Sequence, residues 1–305
     1  MPHLHALRLE CLGHQRTTPG RRTAEQPAGE GADRGERSVG HAPVPEPGPG
    51  ELLVRCEAIG VTLPVVRKVT EAAEPVPLGG EIAGEVVAVG AGVGRFRVGK
   101  PVTGLRFGHG YADYALLGEA MASPIPDTAT AVDAVALVRS GLVALGALEA
   151  ARPERGEAAL VTAAASGVGH LAVQLARARG AGRVVGAVPD PAKADFVRSV
   201  GGDIFRPALA ALTPGGRLVA YSSGGGTIRA YDLLVGAKAV IGFQMARIAR
   251  GEPELYERWR RELWRLFEVG AVKPVVHGEF ALEDASQAHA AIESRVNRGK
   301  AVLHP

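Results

Sequence analysis

The sequence predicts an α/β protein in which a small β-rich domain is joined to a doubly wound parallel sheet. Three observations carry that prediction. Short strand-like runs punctuated by glycines fill the region from Pro43 to Leu117. A strand, a small-residue turn and a helix follow one another from Ala158 to Gly180, and a second strand and helix come directly after. With 305 residues, 46% of them hydrophobic, the chain can bury more than one core, and its length suits two domains.

The segment Ala158–Gly180 organises the rest. Leu160, Val161 and Thr162 form an apolar, β-capable run, Ala163 to Gly169 are nearly all small, and Val168, Leu171, Ala172 and Leu175 recur at helical spacing. Gly167, Gly169 and Ala172 fit the pattern G-x-G-x-x-A. Small residues in such a turn let backbone N–H groups at a helix N-terminus approach a phosphate, whose charge the helix dipole favours. Close packing of strand against helix is the other use of the same turn. Arg183–Val188 (RVVGAV) reads as the next strand, and Asp190-Pro191 opens a helical stretch from Ala192 to Val200. Strand, helix, strand, helix is the signature of a parallel sheet with crossover helices.

Composition excludes several classes. The 35 basic and 32 acidic residues leave a net charge of +3, and no basic, aromatic-interleaved face points to nucleic acid. Two cysteines, Cys11 and Cys56, supply neither a four-cysteine metal site nor a disulfide framework, which suits a reducing compartment. The N-terminal MPHLHALRLE lacks the apolar core of a signal peptide, and no apolar run reaches the ~18 residues a spanning helix needs. The expectation is a cytoplasmic protein that binds no membrane.

Taken in order, His5 to Leu12 alternates like a first strand. Residues 13–42 are rich in arginine and glycine with almost no large apolar side chain, so they read as a flexible insertion or, alternatively, a polyanion-binding arm. Pro43–Gly50 is a turn-rich connector into Glu51–Ala58, whose Leu52, Val54 and Cys56 alternate with Leu53, Arg55 and Glu57. GGEIAGEVVAVG, FRVGK and GYADYALL continue the pattern of short strands.

These phrases, PVPEPGPGELLVRCEAIGV, GGEIAGEVVAVGAGV, FRVGK, GYADYALL, VTAAASGVGHLAVQLA and GGRLVAYSS, resemble the zinc-independent quinone oxidoreductases of the medium-chain dehydrogenase/reductase superfamily, relatives of zeta-crystallin, over nearly all of Pro43 to Leu303. The resemblance implies a GroES-like catalytic domain built from both chain ends and a central Rossmann domain. The boundaries expected on that basis are 1–124, 125–250 and 251–305. It also implies NADPH as hydride donor and a quinone or an α,β-unsaturated carbonyl as acceptor, with enoyl thioester reduction or a non-catalytic, cofactor-binding scaffold as alternatives. A homodimer is expected from the resemblance alone.

The zinc-dependent branch has a histidine and a glutamate where this chain has Gly80-Glu81, a cysteine near the place of Thr62, and a four-cysteine lobe that is absent here. The expectation is therefore no metal, with His109, His170 and His277 in other roles. Thr62 can hydrogen-bond a substrate oxygen, but its hydroxyl is a poor acid, and an ordinary strand residue is the other reading. For the cofactor, Ala165, Ser166, Gly167, Val168 and Gly169 form the pyrophosphate turn. Val188 stands where an NAD site carries an acid, and Asp190 before Pro191 has the arrangement of an N-cap. Lys193 falls where relatives bind the 2′-phosphate, which selects NADPH. The same resemblance implies that Tyr221, Ser222 and Gly224 would lie over the nicotinamide, that Phe243 would border it or fill core, and that Lys300 is a further candidate phosphate contact or else a solvated basic turn.

One stretch breaks the pattern. After Val200-Gly201-Gly202, Asp203 runs directly into IFRPALAAL and GGRLVAYSS, so roughly 30 residues, about one βαβ unit, are missing relative to the family. A segment lost from the sequence, a true deletion and a trimmed, rewired fold all fit. A true deletion would remove a strand beside the first and expose a bare strand edge. Beyond it, Glu254–Glu268 is an amphipathic helix with Leu255, Trp259, Leu263, Leu266 and Phe267 on one face, stopped by Gly270.

Overall fold

The computed structural model describes residues 4–8, 23–25, 38–40, 43–71, 76–106, 108–188, 209–221 and 228–305. The chain forms two compact units, one of Met1–Leu12 with Ser140–Val275 and one of Gly13–Arg139 with Val276–Pro305.

The second unit is the β-rich one. Two short strands, β2 (Thr23–Glu25) and β3 (Ser38–Gly40), pair antiparallel within the segment read as a flexible insertion; the rest of 13–42 lies outside the described residues. The main sheet contains β4 (Glu51–Val61), β5 (Glu81–Val89), β6 (Pro101–Leu105), β7 (Tyr114–Gly118), β8 (Ala122–Pro124), β13 (Val276–Ala281) and β14 (Lys300–His304). Its order is β13-β14-β4-β5-β6-β8, with β7 also paired to β4. Along β4, Leu52, Val54 and Cys56 enter the hydrophobic core, and past an irregularity between Cys56 and Ala58 the inward positions become Ile59 and Val61. That shift of parity turns Gly60 to the opposite face. Helices α1 (Leu63–Glu71) and α7 (Ala285–Glu293) close the core with Val65, Val66 and Val69 and with Ala285, Ala288 and Ile292. Within this core the Tyr111 hydroxyl and His289 Nε2 are hydrogen-bonded at 3.0 Å.

The first unit holds the parallel sheet: β9 (Ala158–Val161), β10 (Arg183–Gly186), β11 (Arg217–Ala220), β12 (Ala239–Gly242) and the N-terminal β1 (Leu4–Arg8), in the order β10-β9-β1-β11-β12. All neighbours run parallel. Ala6 pairs with Leu160 on one side and with Leu218 on the other. The bare edge expected from a lost strand is therefore not found: the place beside β9 is taken by backbone from the chain's other end, which supplies ladder partners to both neighbours.

Further helices of the chain are α2 (Ala131–Ala151), α3 (Gly169–Ala178), α4 (Ala230–Gly236), α5 (Met245–Gly251) and α6 (Pro253–Glu268). Helix α2 begins in a capping box: the Thr130 hydroxyl accepts from the Asp133 N–H at 3.0 Å, and Asp133 Oδ2 accepts from the Thr130 N–H at 3.0 Å. It is long and apolar enough to cross a bilayer, but 78% of its apolar stretch is buried inside the protein, the behaviour of a core helix. Gly141 and Gly146 make room on it for α6. A Cβ at Gly141 would lie 2.6 Å from Leu263 Cδ2, and one at Gly146 would lie 2.8 Å from Trp259 Cζ3. These contacts place residues 253–275 with the parallel-sheet unit, whereas the sequence had the chain return to the catalytic domain at 251 and leave it at 124.

Candidate active site

In a parallel sheet, ligands bind where the carboxyl ends of the strands open and the strand order reverses. Here the chain steps outward from β9 to β10 and re-enters at β11 on the far side of β9. The turn Ala163–Gly169 follows β9, Val188 follows β10, Tyr221 follows β11 and Phe243 follows β12, so the topology gathers these predicted residues at one end of one sheet.

The turn itself is tight. Ala163 adopts a left-handed backbone at φ 49°, and the Ser166 N–H donates to the Ala163 carbonyl at 2.9 Å. The Gly169 N–H donates to Ser166 Oγ at 3.0 Å, so the serine caps the start of α3. A Cβ at Gly169 would lie 2.7 Å from Ala164 Cα and closer still to the Ala163 carbonyl oxygen, so the second glycine of the motif admits no side chain. The N–H groups of Gly167 and Val168 have no acceptor among the described residues. Unengaged donors at the start of a helix, reached through a wall of small residues, fit a dinucleotide pyrophosphate.

Two side chains of α3 fix the segment after α6. His170 Nε2 accepts from the Val275 N–H at 3.0 Å while Nδ1 lies 2.8 Å from the Ser166 carbonyl, which places the proton on Nδ1. Gln174 donates to the Lys273 carbonyl at 2.9 Å and accepts from its N–H at 2.8 Å. Sequence reasoning set His170 aside; its place one residue after the glycine of the turn was the available signal.

Phe243 packs in the same unit. Its ring lies 6.2 Å from that of Trp259, centroid to centroid, and its N–H donates to the Ala220 carbonyl at 2.8 Å. Of the two roles considered for it, core filling has these contacts behind it. Tyr221 is buried at the end of β11. Lys193, Ser222, Gly224 and Asp190 lie outside the described residues.

In the β-rich unit, Thr62 ends β4 and begins α1: its carbonyl accepts from the N–H groups of Val65 at 3.0 Å and Val66 at 3.1 Å. Register brings three more residues to that end of the sheet. Gly60 pairs with Glu81 of β5 and with Val302 of β14. With no side chain on β4 between them, Glu81 and Lys300 meet over Gly60 and form an ion pair. A Cβ on Gly60 would sit 2.6 Å from Glu81 Oε2 and 2.7 Å from Lys300 Cε. Arg139 of α2 approaches the other carboxylate oxygen at 3.4 Å. Glu81 is 1% exposed and Lys300 3%. Burial holds the Lys300 ammonium below the usual lysine pKa; the Glu81 charge opposes that shift and Arg139 adds to it. Lys300, read from sequence as a phosphate contact, is thus engaged with a carboxylate inside the β-rich unit. The cluster was not foreseen, although Gly60 facing Glu81 was visible once the strands were paired. Among the described residues no group of three or more His, Cys, Asp or Glu could hold a metal ion.

Comparison with known proteins agrees with this layout. Residues 48–130 match the alcohol dehydrogenase GroES-like domain, and residues 176–303 match the zinc-binding dehydrogenase domain. A quinone oxidoreductase of Pseudomonas aeruginosa is 31% identical, covering 85% of this chain and 93% of that protein. Mouse prostaglandin reductase-3 is 34% identical over 66% of this chain and 55% of its own length. A mycobacterial protein solved with NADPH superposes with a TM-score of 0.83 at 26% identity, covering 93% of this chain and 99% of that one.

Proposed function

This chain belongs to the quinone oxidoreductase family of the medium-chain dehydrogenase/reductase superfamily, and from that premise we propose that it uses NADPH to reduce a quinone or an α,β-unsaturated carbonyl without a metal. It is an oxidoreductase with a GroES-like domain and a Rossmann-type domain for a nicotinamide cofactor.

The observation that carries the proposal is the Ala163–Gly169 turn, closed by Ser166 and Gly169 around two N–H groups, of Gly167 and Val168, that have no acceptor among the described residues. Gly167 and Val168 would hold the pyrophosphate, and Lys193 the 2′-phosphate. The cofactor supplies the hydride; the protein's share is to orient a flat, electron-poor acceptor and to provide a proton. A metal-free reaction is supported by the state of Glu81, whose carboxylate faces Lys300 and Arg139. The relatives named for quinones and for prostaglandins suggest acceptors that share one electronic demand, a carbon or ring able to take hydride. The chain is proposed to act in the cytoplasm as a homodimer joined along β12.

Fluorescence titration with NADPH and NADH tests the reading. Saturable binding at least about tenfold tighter for NADPH, or roughly 1.4 kcal/mol, is expected, and Gly169→Ala should abolish it while the protein still unfolds cooperatively. Turnover of quinones and enones by metal-depleted protein is the accompanying expectation. A monodisperse, cooperatively folded protein that binds neither nucleotide would overturn the proposal.

A further inference from the structure

The Ser166 carbonyl and the Gly167 N–H belong to one peptide unit, and no peptide bond among the described residues is cis. A trans unit is planar, with its carbonyl and its N–H pointing in opposite directions, so whatever holds the one aims the other. His170 holds the Ser166 carbonyl twice: its backbone N–H donates to that oxygen at 3.2 Å, and its ring nitrogen Nδ1 lies 2.8 Å away. The ring bond is the shorter, and it needs a proton on Nδ1. Val275 secures that proton, because its N–H donates to Nε2 at 3.0 Å and keeps the second nitrogen an acceptor. His170 is only 4% exposed, which shields both ring bonds from competing water. The segment that meets the ring is itself fixed. Gln174 engages both backbone groups of Lys273, and Pro274, next in the chain, has no N–H to place.

We propose that His170 is a positioning residue for the dinucleotide: through the Ser166 carbonyl it aims the Gly167 N–H at the pyrophosphate, and through Val275 it takes the tautomer that lets it do so. A bond on the carbonyl also polarises the peptide unit and leaves its N–H a better donor toward an anion. Ser166 is engaged on its other side as well, since its Oγ accepts from the Gly169 N–H. A backbone rotation that swung the Gly167 N–H away would therefore break bonds on the main chain and strain one on the side chain of the same residue. No atom of the ring has to touch the cofactor. Val275 is the last residue of the parallel-sheet unit, so the turn is tied to the point where the chain leaves that unit. The inference rests on the reading of this turn as the pyrophosphate site and names the residue that orients it.

Two substitutions divide the role. His170→Asn retains a side-chain N–H at the place of Nδ1 and loses the Val275 contact; His170→Leu keeps the bulk and loses both bonds. In a fluorescence titration, His170→Leu should bind NADPH about tenfold more weakly than wild type, the worth of one hydrogen bond, and His170→Asn should recover to within about threefold. Release of the Val275 segment is common to both variants. Equal weakening in the two would therefore overturn the inference and leave His170 a structural tie. A measurement on the unsubstituted protein keeps the question decidable should a variant fold poorly. With nitrogen-15-labelled histidine and no nucleotide present, the neutral His170 ring, identified as the signal absent from either variant, should show a protonated Nδ1 and a bare Nε2; the opposite tautomer would refute the role. The two readings fail in different ways. Saturable NADPH binding that is the same in wild type and His170→Leu sinks the role of His170 alone, whereas no NADPH binding by folded wild-type protein sinks the pyrophosphate reading and this inference with it.

Discussion

The two units assemble their sheets by different routes, one antiparallel and one parallel. In the β-rich unit β4 pairs with β5 and β7, which follow it in the chain, and with β14 from much later in the chain, and each antiparallel strand carries its own alternation of inward and outward residues. In the parallel-sheet unit the middle strand comes from Leu4–Arg8, some 150 residues before its partner Ala158–Val161. The difference teaches that a missing strand need not leave a gap. A parallel ladder requires backbone donors and acceptors at the right spacing, and it accepts them from anywhere in the chain that can reach.

The sharpest way to break this comparison is Ala6→Pro. Ala6 sits in a ladder on both sides, and proline removes a backbone donor while its ring clashes with a neighbouring strand, a change tolerated only at sheet edges. The buried carbonyl that loses its donor costs about 1–3 kcal/mol before any ring clash is counted, enough to loosen β1 from its neighbours. Hydrogen exchange should show protection lost across β9, β10, β11 and β12 and kept in β4 and β5. Unchanged protection in β9 and β11 would mean that the N-terminal strand does not hold the sheet together. The same exposed centre should also weaken NADPH binding, since the Ala163–Gly169 turn is carried on β9.

This contrast sets what the sequence could tell. The antiparallel strands from Glu51 to Gly118 were legible because Leu52, Val54 and Cys56 alternate with Arg55 and Glu57, a pattern that each strand carries by itself. The turn at Ser166–Gly169 and the helix after it were legible for the same local reason. The position of β1 was not, since alternation in His5–Leu12 says only that a strand exists, not which partners it takes. Nor was the destination of α6: its apolar face marked it as buried, but the glycines that receive it, Gly141 and Gly146, lie on a helix whose apolar residues run all round. The Glu81–Lys300–Arg139 cluster draws on three distant segments, and no single segment records it. Lys300 alone looks like a solvated basic turn; only the pairing of β4 with both β5 and β14 makes it a buried cation.

A second substitution sharpens the comparison from the other side. Gly60→Ala keeps the β4 backbone but puts a methyl group where Glu81 and Lys300 meet. The lysine stem can move, the carboxylate less so, and separating two buried charges should cost about 2–3 kcal/mol, somewhat below the figure for deleting one partner outright. Local strand pairing is retained, so the loss should appear as a lower Tm with protection in β4 and β5 still present. A variant as stable as wild type would show that the pair tolerates separation, and the close approach over Gly60 would then not matter to the fold.

The smallest effect belongs to the edge of the parallel sheet. Strand β12 ends the order, and beside it helix α4 exposes Tyr231, Leu234 and Val235, with Leu234 76% exposed. Three large apolar residues next to a parallel edge that has no further strand partner among the described residues are what a second copy of the chain would cover. Because Leu234 makes little contact within its own chain, Leu234→Glu should change the stability of an isolated chain by no more than about 0.5 kcal/mol. Its effect should fall on association instead: sedimentation is expected to show a dimer for wild type and a monomer for the variant, with NADPH affinity per chain preserved. A variant that stays dimeric would move the interface elsewhere, and β12 would then be an edge protected by its short length of four residues rather than by a partner.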